Sequence, residues 1–278
     1  MFDKQSQAAK ALQFRMQHQG NKLLILPNIW DALGARLMER LGYPSVATAS
    51  VATAIANGYL DGEHIPFDRL LEIVQNISSS VELPLTVDIE RGFASDNLKH
   101  LKENIRLLIE HGAVGINIED SRPDHKSLNP IKEQCRKIES VREVSEQIGV
   151  PLVINARTDV FLLDPGTDAL AEGIERGKAY KNAGADCVYP VTIGTYEAIA
   201  QFVVGVAMPV NVLLMKSIPD LKQLKAIGVA RVSLGPNLLT QVLGTMKEIA
   251  EGLIHEDSTA FFSREFLTRE FRDSLATL

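Results

Sequence analysis

Residues 84–120 read PLTVDIERGFASDNLKHLKENIRLLIEHGAVGINIED, and this stretch decides the fold. A β-rich run, Pro84–Glu90, passes into an amphipathic helical pattern over Asp96–His111 and returns to a second β-rich run, Gly115–Asp120. Gly112 sits just before the second run, where a left-handed residue stops a helix. Strand, helix and strand at this spacing make a parallel βαβ unit.

The same beat extends in both directions. Upstream lie candidate strands Leu23–Ile29 and Ser45–Ser50; downstream lie Pro151–Thr158, Cys187–Val191, Pro209–Leu214 and Arg231–Gly235. Helical patterns follow them, among them Pro130–Gln147, Asp168–Ala183 and Asn237–Leu253, and Gly42, Gly184 and Gly228 repeat the stop seen at Gly112. Eight strands alternating with eight helices in a chain of 278 residues predict one (β/α)8 TIM barrel, of class α/β, spanning the whole chain as a single domain. An open doubly wound sheet would be the home of a Gly-rich dinucleotide loop, and no GxGxxG or GxxxxGK[ST] is present. Residues 1–20 read as an extra N-terminal helix. Residues 256–278 read as a C-terminal helical extension with a helix over Ser263–Leu275.

Composition narrows the partners. A net charge of −6 without a dense basic cluster argues against nucleic acid and anionic membranes. The apolar stretch Val46–Ala56 is too short to span a bilayer, and Met1-Phe2-Asp3-Lys4 does not open a signal peptide. Cys135 and Cys187 form no CxxC or disulfide framework and suit a reducing compartment, so the expected location is the cytoplasm.

In a TIM barrel the chemistry gathers at the C-terminal ends of the strands. Strand three ends Val87-Asp88-Ile89-Glu90-Arg91-Gly92, and alternation along a strand predicts Asp88 and Glu90 on one face. Strand four ends in Glu119-Asp120, which adds Glu119 at a similar height. Neighbouring carboxylates repel, and a hard cation with oxygen ligands relieves that repulsion. The competing reading makes these acids solvated, or partners for Arg91 and Arg122. Strand five ends Ile154-Asn155-Ala156-Arg157-Thr158-Asp159. Arg157 either points into the mouth to bind a carboxylate or phosphate in bidentate fashion, or closes a structural pair with Asp159 or Glu119. His64, His111 and His125 show no ligand spacing.

These residues resemble the isocitrate lyase / phosphoenolpyruvate mutase superfamily over about residues 21–253. The likeness rests on Pro27-Asn28-Ile29-Trp30-Asp31-Ala32, the Asp88/Glu90 motif, Gly115–Asp120, Ile154–Asp159 and Gly184-Ala185-Asp186. The resemblance implies an Mg²⁺ enzyme (with Mn²⁺ an alternative ion) acting on small 2-oxo or 2-hydroxy carboxylates. It implies Asp88, Glu90 and Glu119 as the metal set, and Asp61 and Arg157 as catalytic residues. It also implies that Thr48-Ala49-Ser50, Arg157 and Asn211 bind substrate. Phe266, Leu267, Phe271 and Leu275 give the C-terminal helix an apolar stripe that either packs on a neighbouring subunit or folds back across the bottom of its own barrel, and the resemblance tilts the expectation to the first, in a homotetramer.

The departures are specific. Glu90 stands where Asp is common, and Thr48-Ala49-Ser50 is bulkier than the usual Ser-Gly-Gly. The strand-four loop, Ser121 to Pro130, is read as a mobile lid; it has neither the lyases' Lys-Cys-Gly-His nor the mutases' lysine and asparagine pattern. Val191 stands where methylisocitrate lyase has a glutamate. The expected activity is therefore a lyase or decarboxylase of an oxaloacetate-like dicarboxylate, not a typical isocitrate or methylisocitrate lyase. The alternatives are C–P chemistry on phosphonopyruvate and metal-dependent small-acid binding without turnover.

Overall fold

In the computed structural model, which describes residues 3–20, 22–124, 126–163 and 168–276, the Val/Ile-rich runs are strands and the amphipathic runs are helices. Helix α1 (Lys4–Gln17) precedes β1 (Leu24–Leu26), α2 (Ala32–Arg40), β2 (Val46–Ala47), α3 (Ser50–Ala56) and α4 (Phe67–Ser78). There follow β3 (Leu85–Asp88), α5 (Leu98–Glu110), β4 (Gly115–Glu119), α6 (Ile131–Ile148), β5 (Val153–Thr158), α7 (Val160–Leu163) and α8 (Ala169–Asn182). The last third holds β6 (Cys187–Pro190), α9 (Tyr196–Val206), β7 (Asn211–Leu213), α10 (Leu221–Ala226) and β8 (Arg231–Ser233). It ends with α11 (Asn237–Ile254), α12 (Thr259–Phe262) and α13 (Arg269–Ser274).

Every strand pair is parallel. One sheet runs β2-β3-β4-β5-β6 and the other β1-β8-β7. Single parallel bridges, Asn28 to Ala47 and Val188 to Val210, join the two arcs into a closed ring. The fold is the expected (β/α)8 barrel. Two register lines matter for the site: Asp88, Asn117, Asn155 and Cys187 lie side by side, as do Glu119, Arg157 and Tyr189.

Local chemistry explains the joints. Asp31 caps α2 by accepting from the Gly34 amide at 2.7 Å, Asn97 caps α5, and Asp220 and Gln223 form a capping box on α10. The helix-stopping Gly42, Gly112, Gly184 and Gly228 all adopt positive φ. Alternate strand residues face the helices and fill the core; Val87, Ile116, Ile118, Ile154 and Val188 are fully buried there.

Helix α1 closes the barrel floor. Phe14 is fully buried, worth about 2–3 kcal/mol of apolar burial. A Cβ at Gly115 would come within 2.8 Å of Phe14 Cε1, so only glycine lets the plug seat. Gln7 Nε2 holds α1 down by donating to the carbonyls of Ile109 (2.6 Å) and Ala113 (2.9 Å).

Two boundaries differ from expectation. The second strand stops at Ala47, and Ser50 already begins α3 because Ala49 turns the chain at its N-cap. The single helix expected over Ser263–Leu275 is instead α12, a break, and α13, which Thr268 starts afresh by capping the Phe271 amide. No helix among the described residues is long and apolar enough to cross a membrane.

Candidate active site

The mouth is built from the ends of β2 to β5. Asp88 terminates β3, and three donors converge on its carboxylate: the Ser50 amide (3.1 Å), Asn117 Nδ2 (3.0 Å) and the Glu90 amide (3.2 Å). Thr48 Oγ1 accepts from the Asp88 amide at 2.9 Å. The Thr48-Ala49-Ser50 turn thus wraps the Asp88 end of the strand. Asn155 Nδ2 donates to Asn117 Oδ1 at 2.9 Å, so a row of amides beneath the mouth orients the acid.

Glu90 reaches the mouth by a route that strand alternation does not describe. The strand has ended at Asp88, and Glu90 takes φ of 49°, a left-handed turn uncommon outside glycine. Its carboxylate turns toward the loop after β2, where Oε1 accepts from the Glu63 amide at 2.8 Å. Oε2 is buried without a partner. Burial, then the negative charges of Asp61, Asp88 and Glu119, push the Glu90 carboxyl up to about 8. Asp61 itself is an exposed residue of the turn after α3, within electrostatic reach of Glu90.

Glu119 ends β4 and is 3% exposed. It lies 2.9 Å from Arg157 Nη1 and 3.7 Å from Arg91 Nη1, and it accepts from Ser121 Oγ at 2.6 Å. Burial raises its carboxyl to about 7 in spite of Arg157. Arg157 is also clamped by Asp159, through Nε at 2.5 Å and Nη2 at 3.0 Å. Burial works against its charge, but the Glu119 and Asp159 carboxylates hold the guanidinium well above its usual pKa. Both pairings that the sequence left open for Arg157 are formed. Of its five N–H donors two are hydrogen-bonded, both to Asp159, and the Glu119 carboxylate lies beside Nη1.

Among the described residues, no three His, Cys, Asp or Glu side chains converge closely enough to ligate one ion directly. The acids are near neighbours, partly committed to donors. His64 and His111 pair through Nδ1 with the backbone carbonyls of Asp61 and Leu107, and His125 lies outside the described residues. Asn211 is fully buried on β7 and accepts from Ser233 Oγ at 3.0 Å. Cys187 is buried inside the barrel and burial pushes its thiol up to about 12; Cys135 sits half-buried on α6, away from the mouth.

Several residues at the site went unread in the sequence. Glu63 accepts from the Phe93 amide (2.7 Å) and pairs with Arg91 (3.3 Å), tying the turn that carries Asp61 to the loop that carries Glu90. Asp120, fully buried, accepts from Tyr180 Oη (2.6 Å), Arg176 Nη1 (3.2 Å) and the Asp159 amide (2.9 Å). It thereby fixes the residue that clamps Arg157. A readable signal did exist for the amide row: Ile116-Asn117 and Ile154-Asn155 repeat on neighbouring strands and pair in register.

The fold and mouth define a class, a (β/α)8 barrel with an acid-lined opening set against a clamped arginine. A sequence profile of the phosphoenolpyruvate phosphomutase family matches residues 14–254, and the chain belongs to that family. It is 26% identical over 211 residues to the 2-methylisocitrate lyase of Bacillus subtilis strain 168, covering 73% of this chain and 67% of that one. It is 27% identical over 190 residues to the oxaloacetate decarboxylase of Rhodopseudomonas palustris strain BisB18, covering 66% of this chain and 63% of that one. A lyase/mutase-type protein of Burkholderia cenocepacia J2315, known as a crystal structure, superimposes with a TM-score of 0.90 at 30% identity over 98% of both chains.

Proposed function

We propose that the chain is an Mg²⁺-dependent carbon–carbon lyase, cleaving or decarboxylating a small 2-oxo or 2-hydroxy dicarboxylate of the oxaloacetate type through an enolate. One observation carries the reading: Glu90, with an unpartnered Oε2 and a carboxyl raised by burial first and then by three neighbouring acids, faces a mouth shared with Asp88 and Glu119. Such an excess of carboxylate fits a divalent cation. A set with few free oxygens fits an ion that keeps most of its waters, as Mg²⁺ does. Asp88 would hold it, with Glu90 and Glu119 directly or through water, and Mn²⁺ would suit the same donors. When bound, the ion supplies Lewis-acid polarisation of the 2-oxo group.

The chain's own groups do the rest. Arg157 presents a fixed positive charge where the enolate oxygen develops. The Asp159 fork keeps that guanidinium oriented, so little reorganisation is needed. The Thr48-Ala49-Ser50 turn and Asn211 would hold substrate carboxylate oxygens, and Asp61 would position a water or take a proton. No cysteine lies in the strand-four loop and burial holds the Cys187 thiol at about 12, so no cysteine serves as the acid and water could protonate the enolate. Decarboxylation tolerates that better than a stereospecific lyase reaction does. The kinship with an oxaloacetate decarboxylase and a 2-methylisocitrate lyase supports C–C chemistry at this site.

The test is a panel of 2-oxo and 2-hydroxy dicarboxylates with Mg²⁺, read by pyruvate release. Mg²⁺-dependent pyruvate from an oxaloacetate-like member is expected. Phosphate release from phosphonopyruvate would move the assignment to C–P chemistry. Metal-dependent binding across the panel without turnover would make the chain a binding protein.

A further inference from the structure

Arg231 is the first residue of β8, 2% exposed, and faces the barrel interior beside Asn211, its register partner on β7. Of its five N–H donors only Nε finds a protein acceptor among the described residues, Ser233 Oγ at 3.3 Å. Ser233 Oγ in turn donates to Asn211 Oδ1 at 3.0 Å, which leaves Asn211 Nδ2 buried and unpartnered. One hydroxyl thus aligns two side chains whose free groups, Arg231 Nη1 and Asn211 Nδ2, are both donors.

No carboxylate among the described residues lies within ion-pair distance of Arg231. The groups whose charges it feels are Cys187, Tyr189, Asp88 and, from the floor, His18. Burial keeps the Cys187 thiol and the Tyr189 phenol protonated at neutral pH, and it keeps His18 neutral at about 3. Asp88 lies up at the mouth, at the end of β3 and beyond ion-pair distance. A buried guanidinium without a paired anion is strongly disfavoured, so something outside the chain must supply acceptors.

We propose that the barrel interior below the mouth is a second anion site, in which Arg231 and Asn211 receive the distal carboxylate of a dicarboxylate whose 2-oxo or 2-hydroxy head lies at the Asp88 and Arg157 end. The site rests on the function proposed above and narrows it, because it selects substrates with a second carboxylate over those with the head alone. Asn211 then serves the far end of the substrate.

The experiment is calorimetric binding in Mg²⁺ with three probes: oxalate, which presents a head only, and malate and 2-oxoglutarate, which add a distal carboxylate. In Arg231→Met, which removes an uncompensated buried charge and is expected to fold, oxalate affinity should stay within about three-fold while malate and 2-oxoglutarate weaken about 30-fold or more. Asn211→Asp provides an independent variant, since its carboxylate would pair with Arg231 in place of the ligand. It should raise the melting temperature and abolish preference for the two dicarboxylates over oxalate. Equal loss of all three probes in Arg231→Met, or unchanged dicarboxylate preference in either variant, overturns the site and leaves Arg231 solvated by buried water. Absence of Mg²⁺-dependent oxalate binding in the wild type overturns the proposed function and this site with it.

Discussion

Glu90 combines a left-handed backbone at φ 49° with a carboxyl raised to about 8, and both follow from its place between two loops. Non-glycine residues in that region store strain and concentrate at functional sites, where neighbours over-determine them. Here the Glu63 amide and the Asp88 carboxylate hold Glu90 from either side. Because the folded state binds the Glu90 proton more tightly than the unfolded chain, whose value lies near 4.5, that stabilisation is complete below about pH 4.5. It is lost as pH rises through about 8, amounting to on the order of 5 kcal/mol across the interval. The metal-free protein should therefore lose stability between pH 5 and 8. Glu90→Gln, a permanent mimic of the protonated acid, should flatten the curve and be the more stable form near pH 8; urea titrations across the range check this, and an unaltered slope refutes it. Asp88→Ala should keep the barrel's circular dichroism yet lose the rise in melting temperature that Mg²⁺ gives the wild type. A full Mg²⁺ response in that variant would remove Asp88 from the proposed metal set.

Between residues and the barrel lie the loops, and they divide what could be read in the sequence from what could not. The strands were legible because Val/Ile-rich runs alternate with helical periods, and the glycine stops marked where each unit restarts. The placement of Asp88, Glu119 and Arg157 at the mouth was legible because each stands at the C-terminal end of a barrel strand. The approach of Glu90 was not, since the period-two rule fails once the strand stops at Asp88. Nor was the Asp120 hub, because Tyr180 and Arg176 reach it from α8 across 60 and 56 residues, a separation that leaves no local pattern. That hub also anchors the strand-four loop: Arg176 Nη1 donates to the Asn129 carbonyl at 2.9 Å, and the Asn129 amide donates to the Asp120 carbonyl at 2.7 Å. Within the loop, an antiparallel bridge joins Ser121 to Leu128 and the Arg122 amide donates to the Ser127 carbonyl, which ties its two limbs together. Tyr180→Phe should cost about 1.5–3 kcal/mol in chemical denaturation, the worth of a hydrogen bond to a charged group. If Tyr180 only filled space, the cost would be near zero. Mg²⁺ plus oxalate should protect the Ser121–Pro130 loop from limited proteolysis, as expected of a lid that excludes water over an enolate. Identical cleavage rates with and without ligand would mean the loop is no lid.

At the scale of the whole molecule, the C-terminal third has a surplus of apolar surface. Helix α11 runs for 18 residues yet buries only Leu239, while Val242, Leu243, Met246, Leu253 and Ile254 are exposed. Just beyond it Phe261, Phe262 and Phe266 stack into a cluster with centroids 5.0–6.4 Å apart, and with Leu267 it faces solvent. A barrel helix normally turns its apolar stripe to the strands, so exposed apolar groups in this number need a cover from elsewhere. The tail's own end is already engaged. Arg36 Nη1 donates to the carbonyls of Leu275 (3.0 Å) and Ala276 (3.1 Å), Arg40 reaches Ser274, and Leu275 is buried against the barrel. Folding back therefore accounts for α13 but leaves α11 and the phenylalanine cluster uncovered. The expected cover is a second copy of the chain, in a homotetramer formed through α11 and the 261–267 segment. Truncation after Glu256 removes the phenylalanines and the α13 anchor while sparing the barrel ring. It should give smaller particles in light scattering with barrel helicity retained, and a melting temperature that no longer rises with protein concentration. Replacing Phe262 and Phe266 with Ser tests the cluster without deleting the anchor and should shift assembly in the same direction. A full-length chain that sediments as a monomer at micromolar concentration would exclude the assembly and leave the apolar face of α11 without a role.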